Sequence, residues 1–141
     1  VIDDNPLERE IHVEARPETV FAFFTDPAKI ALWLGRRATL EPRPGGQVRL
    51  EVNDTRTILG EFVELVPPHR IVFTWGWEGH ASVPPGSSTV EVRLEPEGEG
   101  TRVRITHRGL PDDQERANHA RAWEPALSRL ASTARDHQVK V

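Results

Sequence analysis

The sequence predicts an α+β domain in which a curved, seven-stranded antiparallel sheet wraps around one long C-terminal helix, with two short helices between the first and second strands. Three observations predict it. Apolar residues recur with period two over residues 7–14 and again from Arg37 to Arg108, the spacing of strands with one buried face. The period is helical from Pro17 to Gly35 and again after Pro111. Turn residues punctuate the long middle stretch five times and divide it into a meander of six strands.

The elements follow in order. In residues 7–14, Leu7, Ile11 and Val13 stand against Glu8, Glu10, His12 and Glu14, a half-buried first strand. Pro17 suits the first helical position, where its missing N–H costs nothing, and Val20, Phe21, Phe23 and Phe24 supply an apolar face. Asp26 can cap, and Pro27 open, a second short helix that carries Ile30, Trp33 and Leu34 and ends near Gly35. Strands are expected at 37–42, 46–53, 56–66, 70–78, 87–96 and 100–108. Their inward sets are Val48, Leu50 and Val52, then Ile71, Phe73, Trp75 and Trp77, then Val90, Val92 and Leu94, then Val103, Ile105 and His107. Gly60, in the middle of a long strand, predicts a bulge that lets the sheet curl. The last helix is expected at 112–136, with Asp112 and Asp113 at its positive end and Trp123, Leu127, Leu130 and Ala134 on one face. Pro125 lies inside it and removes the bond to the carbonyl of Arg121, which predicts a kink or a break.

Composition sets limits on function. A chain of 141 residues fits one domain, 1–141. Cys is absent, which excludes thiol nucleophiles, disulfides, iron–sulfur clusters and thiolate zinc sites; Tyr is absent too. The net charge of -4 is the wrong sign for nucleic acid or an anionic membrane surface. No apolar run approaches the ~18 residues that span a bilayer, and the opening VIDDNPLERE lacks a basic-then-apolar signal, so a cytoplasmic protein is expected. Met is missing even at position 1, from which prior loss of an initiator is expected. Arg far outnumbers Lys and Pro is plentiful, which suits either a heat-adapted or a GC-rich source.

Several stretches carry a resemblance. VEARPETVFAFFTDPAKIALWLG, RPGGQVRLEV, GEFVELVPPHRIVFTW, STVEVRLEPEGEGTRVRITHRGLP and WEPALSRLA, in this order over most of residues 10–132, resemble the activator of heat-shock-protein-90 ATPase homologue-like group of the START-like (SRPBCC, birch-pollen-allergen-like) superfamily. The resemblance implies a helix-grip fold with a hydrophobic cavity, in a superfamily whose members bind or transform lipids, polyketides, hormones and other small apolar molecules. It does not imply one reaction. The eukaryotic co-chaperones that name the group join this domain to another one, and with no second domain in these residues a chaperone partner is not expected.

A sheet that curls more than one helix can fill leaves a cavity between them, a usual place for small molecules. Trp75 and Trp77 share the inward face and Trp123 faces them from the helix, with Leu127 one turn on, so these are the expected walls, although large aromatics on an inward face also serve as plain core. Trp33, by contrast, reads as an anchor for the tandem helices. His107 continues the inward series of Val103 and Ile105. Burial would favour its neutral form, and the ring can serve as a polar handle, as a general base, or as a satisfied structural histidine. The topology gathers Asp54, Arg56, Glu78, His80, His107, Arg116 and His119 on one rim, of which Arg56, Glu78 and His119 are the further ligand-binding candidates. These residues lack the i, i+4 pairing of a metal-binding helix, so neither metal nor cofactor is expected. Ser87 and Ser88 lack a nucleophile-elbow context and read as a polar loop, and Gly45 and Gly46 make a turn rather than a phosphate cradle. On the outward face Arg93, Arg102 and Arg104 interleave with Glu91 and Glu95, ordinary cross-strand pairing. The expected function is binding of a small, largely apolar molecule. Alternatives are a cavity enzyme of the polyketide cyclase or hydrolase kind and a chaperone-interacting domain; a homodimer is compatible with all three.

Overall fold

The computed structural model describes residues 5–137, so the outermost residues of the expected 1–141 domain, 1–4 and 138–141, lie outside the described residues. The elements are β1 (Leu7–Val13), α1 (Pro17–Thr25), α2 (Pro27–Ile30), β2 (Arg37–Leu40), β3 (Gln47–Glu51), β4 (Thr57–Val66), β5 (Arg70–Trp75), β6 (Ser88–Glu97), β7 (Gly100–Arg108) and α3 (Asp113–Asp136), in the predicted order. The seven strands form one antiparallel sheet, β1-β7-β6-β5-β4-β3-β2. Strands β2 to β7 run as a meander, and β1 pairs with the far side of β7, Leu7 opposite His107 and Val13 opposite Thr101.

The curl of the sheet is made by β4. Its first half, Thr57 to Glu61, pairs with β3, and its second half, from Phe62, pairs with β5. The register shifts between Phe62 and Glu64, so the bulge lies just beyond Gly60 rather than at it. Gly60 does a different job. A Cβ there would stand 1.9 Å from the carbonyl oxygen of Thr74, so only glycine permits this backbone approach. The ladder is irregular at the same point: the N–H of Glu61 donates to the Thr74 hydroxyl at 2.9 Å, and that of Leu59 to the carbonyl of Gly76 at 2.9 Å.

Strand β5 stops at Trp75, three residues before the predicted end, because Gly76 turns the chain against the carbonyl of Pro84, which a Cβ would meet at 1.8 Å. Trp77 then makes one isolated bridge to Ile58, while its N–H donates to Val83 at 2.8 Å. Val83 is fully buried and holds the 79–87 loop against the core. Helix α3 is continuous through Pro125, without the predicted break. Arg121 and Pro125 both lie on its exposed face, where water can take the carbonyl that the proline leaves without a partner.

The two short helices are pinned as their sequence suggests. The Asp26 carboxylate accepts from the N–H groups of Ala28 at 2.9 Å and Lys29 at 3.3 Å, capping α2. Buried Trp33 donates its indole N–H to the carbonyl of Phe23 at 2.9 Å and packs edge-on against Phe24. Arg129 of α3 in turn donates to the carbonyl of Trp33 at 3.0 Å. The inward sets named from the alternation form one core with α1 and α3, with Val52 only half-buried at its edge. On the outward face the arginines are paired as expected but with other partners. Arg70 and Arg93 meet Glu91, whereas Arg102 and Arg104 meet Glu10 of β1 and Arg102 also Glu97, so Glu95 is not among them.

Gly60→Ala is expected to destabilise the fold by about 3 kcal/mol, since backbone rather than a flexible side chain must give way. Gly98→Ala, where φ is +61° but nothing stands within 4 Å, should cost only about 1 kcal/mol. Urea unfolding midpoints of the two variants test the difference.

Candidate functional site

The site is built around Trp75. From the last position of β5 its ring reaches Trp77 at 5.7 Å between centroids, Trp123 of α3 at 5.2 Å, and the rings of His107 at 5.1 Å and His119 at 6.1 Å. Most of these pairs are edge-on, with the positive edge of one ring against the negative face of another. The expected convergence of three indoles is therefore present, and two imidazoles complete it.

Each imidazole accepts from an indole. The N–H of Trp123 donates to Nδ1 of His107 at 3.1 Å, which leaves Nε2 to carry the proton and donate to the Ser88 hydroxyl at 2.9 Å. That hydroxyl donates on to the carbonyl of Trp75 at 2.8 Å. The relay joins three neighbouring strands to the helix because Ser88 stands opposite Trp75 and Val90 stands opposite His107. Ser88, read from the sequence as part of a polar loop, is instead a buried strand residue. His107 is fully buried with both nitrogens engaged. Of its three readings, the geometry matches the satisfied structural histidine, and it supplies no open nitrogen for proton transfer.

The second imidazole faces the solvent side. His119, one turn into α3, donates from Nδ1 to the carbonyl of Glu115 at 2.8 Å and accepts at Nε2 from the indole N–H of Trp77 at 3.1 Å. Burial pushes its pKa below the ordinary value; Arg56 and His80 act the same way, while Glu115 opposes them. The ring is thus neutral, as its acceptor role requires. Trp75 differs from both partners: its buried indole N–H has no hydrogen-bond partner among the described residues.

Beside Trp75 the sheet and helix fail to meet. A hollow of about 80 Å³ is lined by Leu34, Val52, Ile58, the three tryptophans, His119, Ala122, Ala126 and Arg129. It adjoins a polar bay of about 460 Å³, in which Arg56, His80, Glu115, Asn118 and Arg121 stand around the shared wall of Val52, Trp77, His119 and Ala122. The guanidinium of Arg56 lies 4.5 Å from the centre of the Trp77 ring, a cation–π contact that fixes it at the entrance.

The predicted site residues thus divide. Trp75, Trp77, Trp123 and His119 line the hollow, and Arg56 lies at its mouth. His107 and Leu127 are buried outside the lining, and Glu78 is exposed and paired with Arg49 at 3.5 Å. The expected rim is smaller as well, since His107 is interior, Asp54 pairs with Arg36, and Arg116 pairs with Asp113. Sequence reasoning missed Ala122 and Ala126, whose small side chains leave the hollow open. Their signal was a second helix stripe, residues 119, 122, 126 and 129, beside the apolar one. Among the described residues no three His, Asp or Glu side chains are grouped to hold a metal ion, and no helix is long and apolar enough to cross a membrane.

The family model described as Activator of Hsp90 ATPase homolog 1-like protein matches residues 14–135. The chain belongs to this family. An activator of Hsp90 ATPase homolog 1-like protein of Rhizobium etli, solved in solution, is 45% identical over 92% of this chain and 81% of that one, with a TM-score of 0.73. A Chromobacterium violaceum protein is 25% identical over 93% of this chain and 97% of that one, with a TM-score of 0.78. The Aha1 dimer of Colwellia psychrerythraea, 17% identical over 93% of this chain and 96% of that one with a TM-score of 0.80, shares the fold. No curated protein matches. Membership of the Hsp90 ATPase activator homologue-like family thus agrees with the helix-grip architecture expected of a START-like domain, here with a cluster of indoles and imidazoles filling most of the grip.

His107→Leu should lower stability by about 3 kcal/mol, because it strands the Trp123 N–H inside the core and removes the donor to the Ser88 hydroxyl; denaturant titration measures it. The His119 contribution depends on pH with a definite sign. Its folded pKa lies below the unfolded value near 6.5, so stability is complete above pH 6.5 and falls as the pH drops toward the folded value, where the unfolded chain binds the extra proton. His119→Gln should flatten that acid-side slope. Exposed His12, clamped by Glu97 and Glu14 with its pKa raised, acts in the opposite window above pH 6.5 and is common to both proteins.

Proposed function

We propose that the protein binds a small, largely apolar molecule in the hollow between Trp75, Trp77 and Trp123. The observation that carries this reading is the gap itself: sheet and helix leave about 80 Å³ walled by three indoles and by apolar side chains. His119, both of whose nitrogens are engaged, holds Trp77 in the wall of this site, and His107 supports it from behind. The volume limits the guest. At about 80 Å³, the hollow is well under the roughly 150 Å³ cavity that takes a benzene ring, so a short chain fits and a polycyclic body does not.

Titration of 2-hexanone against intrinsic tryptophan fluorescence tests the reading. Binding should perturb the emission, and Ala122→Leu should abolish it by filling the hollow. A response that survives Ala122→Leu unchanged, or no response to the ketone, would count against the site.

A further inference from the structure

Arg56, Arg121 and Arg129 share with exposed Arg37 and Arg108 the lack of an ion-pair partner among the described residues, but these three are gathered around one cleft. On the outward face Arg70, Arg93, Arg102 and Arg104 are each matched by glutamates. Arg56 and Arg121, which line the bay, have no carboxylate within ion-pair distance among the described residues. Arg56 rests on Trp77, and Arg121 donates to the side-chain carbonyl of Asn118 at 2.6 Å. Arg129, on the lining of the hollow, likewise meets only the carbonyl of Trp33. In a chain whose acidic residues outnumber its basic ones, unmatched guanidinium groups gathered at the mouth of a single apolar hollow form a place for an anion. Glu115 is the one carboxylate on the bay's lining; it lies 3.7 Å from Nδ1 of His119 and accepts from Asn118. On the lining of the bay itself, two arginines and one glutamate leave a surplus of a single positive charge, which matches a monoanion. A dianion would set its second charge against Glu115.

Resting on the binding reading above, we infer that the ligand is a small amphipathic monocarboxylate, its short hydrocarbon end in the hollow and its carboxylate in the bay under Arg56 and Arg121. Trp77 and His119 line both compartments, so the ligand crosses between them at this pair. The hollow holds about three methylene-sized groups, and the passage to the bay adds a few more, which sets the chain at about four to seven carbons. Arg56 is held in advance by its contact with Trp77, which lowers the ordering cost of meeting the carboxylate.

The experiment compares hexanoate, 1-hexanol, hexylamine and hexyl phosphate by tryptophan fluorescence at low salt, with chemical-shift perturbation of the indole N–H signals as a second readout. Hexanoate should bind at least about tenfold tighter than hexanol, with hexylamine weakest. Arg56→Gln and Arg121→Gln, both at exposed positions, should each reduce hexanoate binding about tenfold while leaving hexanol within about twofold. Equal binding of hexanoate and hexanol would overturn the assignment of a carboxylate and leave the hollow as a site for neutral molecules. Preference for the amine would overturn it in favour of Glu115, and preference for the phosphate would overturn the monoanion. If none of the four perturbs the indoles, the hollow itself is not a binding site and both readings fall together.

Discussion

Four indole N–H groups are buried in this protein; Trp33 meets the carbonyl of Phe23 away from the grip, and the contrasting fates of the other three organise the rest. An indole is a large apolar body with one donor, so burying it stabilises the core only if the donor finds an acceptor. Trp123 finds His107, and through Ser88 that bond reaches the backbone of β5, tying the helix to β5, β6 and β7 at one point. Trp77 finds His119, which faces the solvent side of the same cluster. Trp75 stands between the two pairs and finds nothing within the described residues. Stability and cavity are therefore parts of one arrangement: the satisfied pairs hold the walls of the hollow, and Trp75 stands between them.

Much of the architecture was legible in the sequence because each element carries a local signal. The two helix-opening prolines, the Asp26 cap, the alternation of β6 and β7 and the apolar stripe of α3 each act over a few residues, so their elements form where the pattern places them. The errors came where tertiary contact overrides local pattern. Alternation from Ile71 to Trp77 reads as one strand, yet Gly76 and the carbonyl of Pro84 divert the chain after Trp75. Pro125 reads as a helix breaker, yet its position on the exposed face lets the helix continue. Gly60 was recognised as special, but whether it makes a bulge or admits a neighbouring backbone depends on Thr74, fourteen positions away in the chain.

The site was half legible for the same reason. Strand and helix periodicity is enough to send Trp75, Trp77, Trp123 and His107 inward, because direction is a local property. Whether a residue lining that interior faces a void or a neighbour depends on the volumes of everything opposite it. His107 is enclosed by Trp75, Trp123 and Ser88, while His119 stands at the opening because Ala122 and Ala126 leave room beside it. Small side chains open such a space without any local pattern of their own. Membership of the Hsp90 ATPase activator homologue-like family is compatible with this division, since a shared fold does not fix which side chains fill it.

The handover within β4 has a mechanical consequence. One limb of the molecule, β2 and β3 with the start of β4, supplies Val52 and Ile58 to the hollow; the other, from β5 onward, supplies Trp75 and Trp77. Despite the register shift between Phe62 and Glu64 the limbs are latched: Ile58 bridges Trp77, and the N–H groups of Leu59 and Glu78 donate to Gly76 and Thr57, each at 2.9 Å. The width of the hollow on this side is therefore set by backbone bonds between its two sheet walls and not by the side chains that line it.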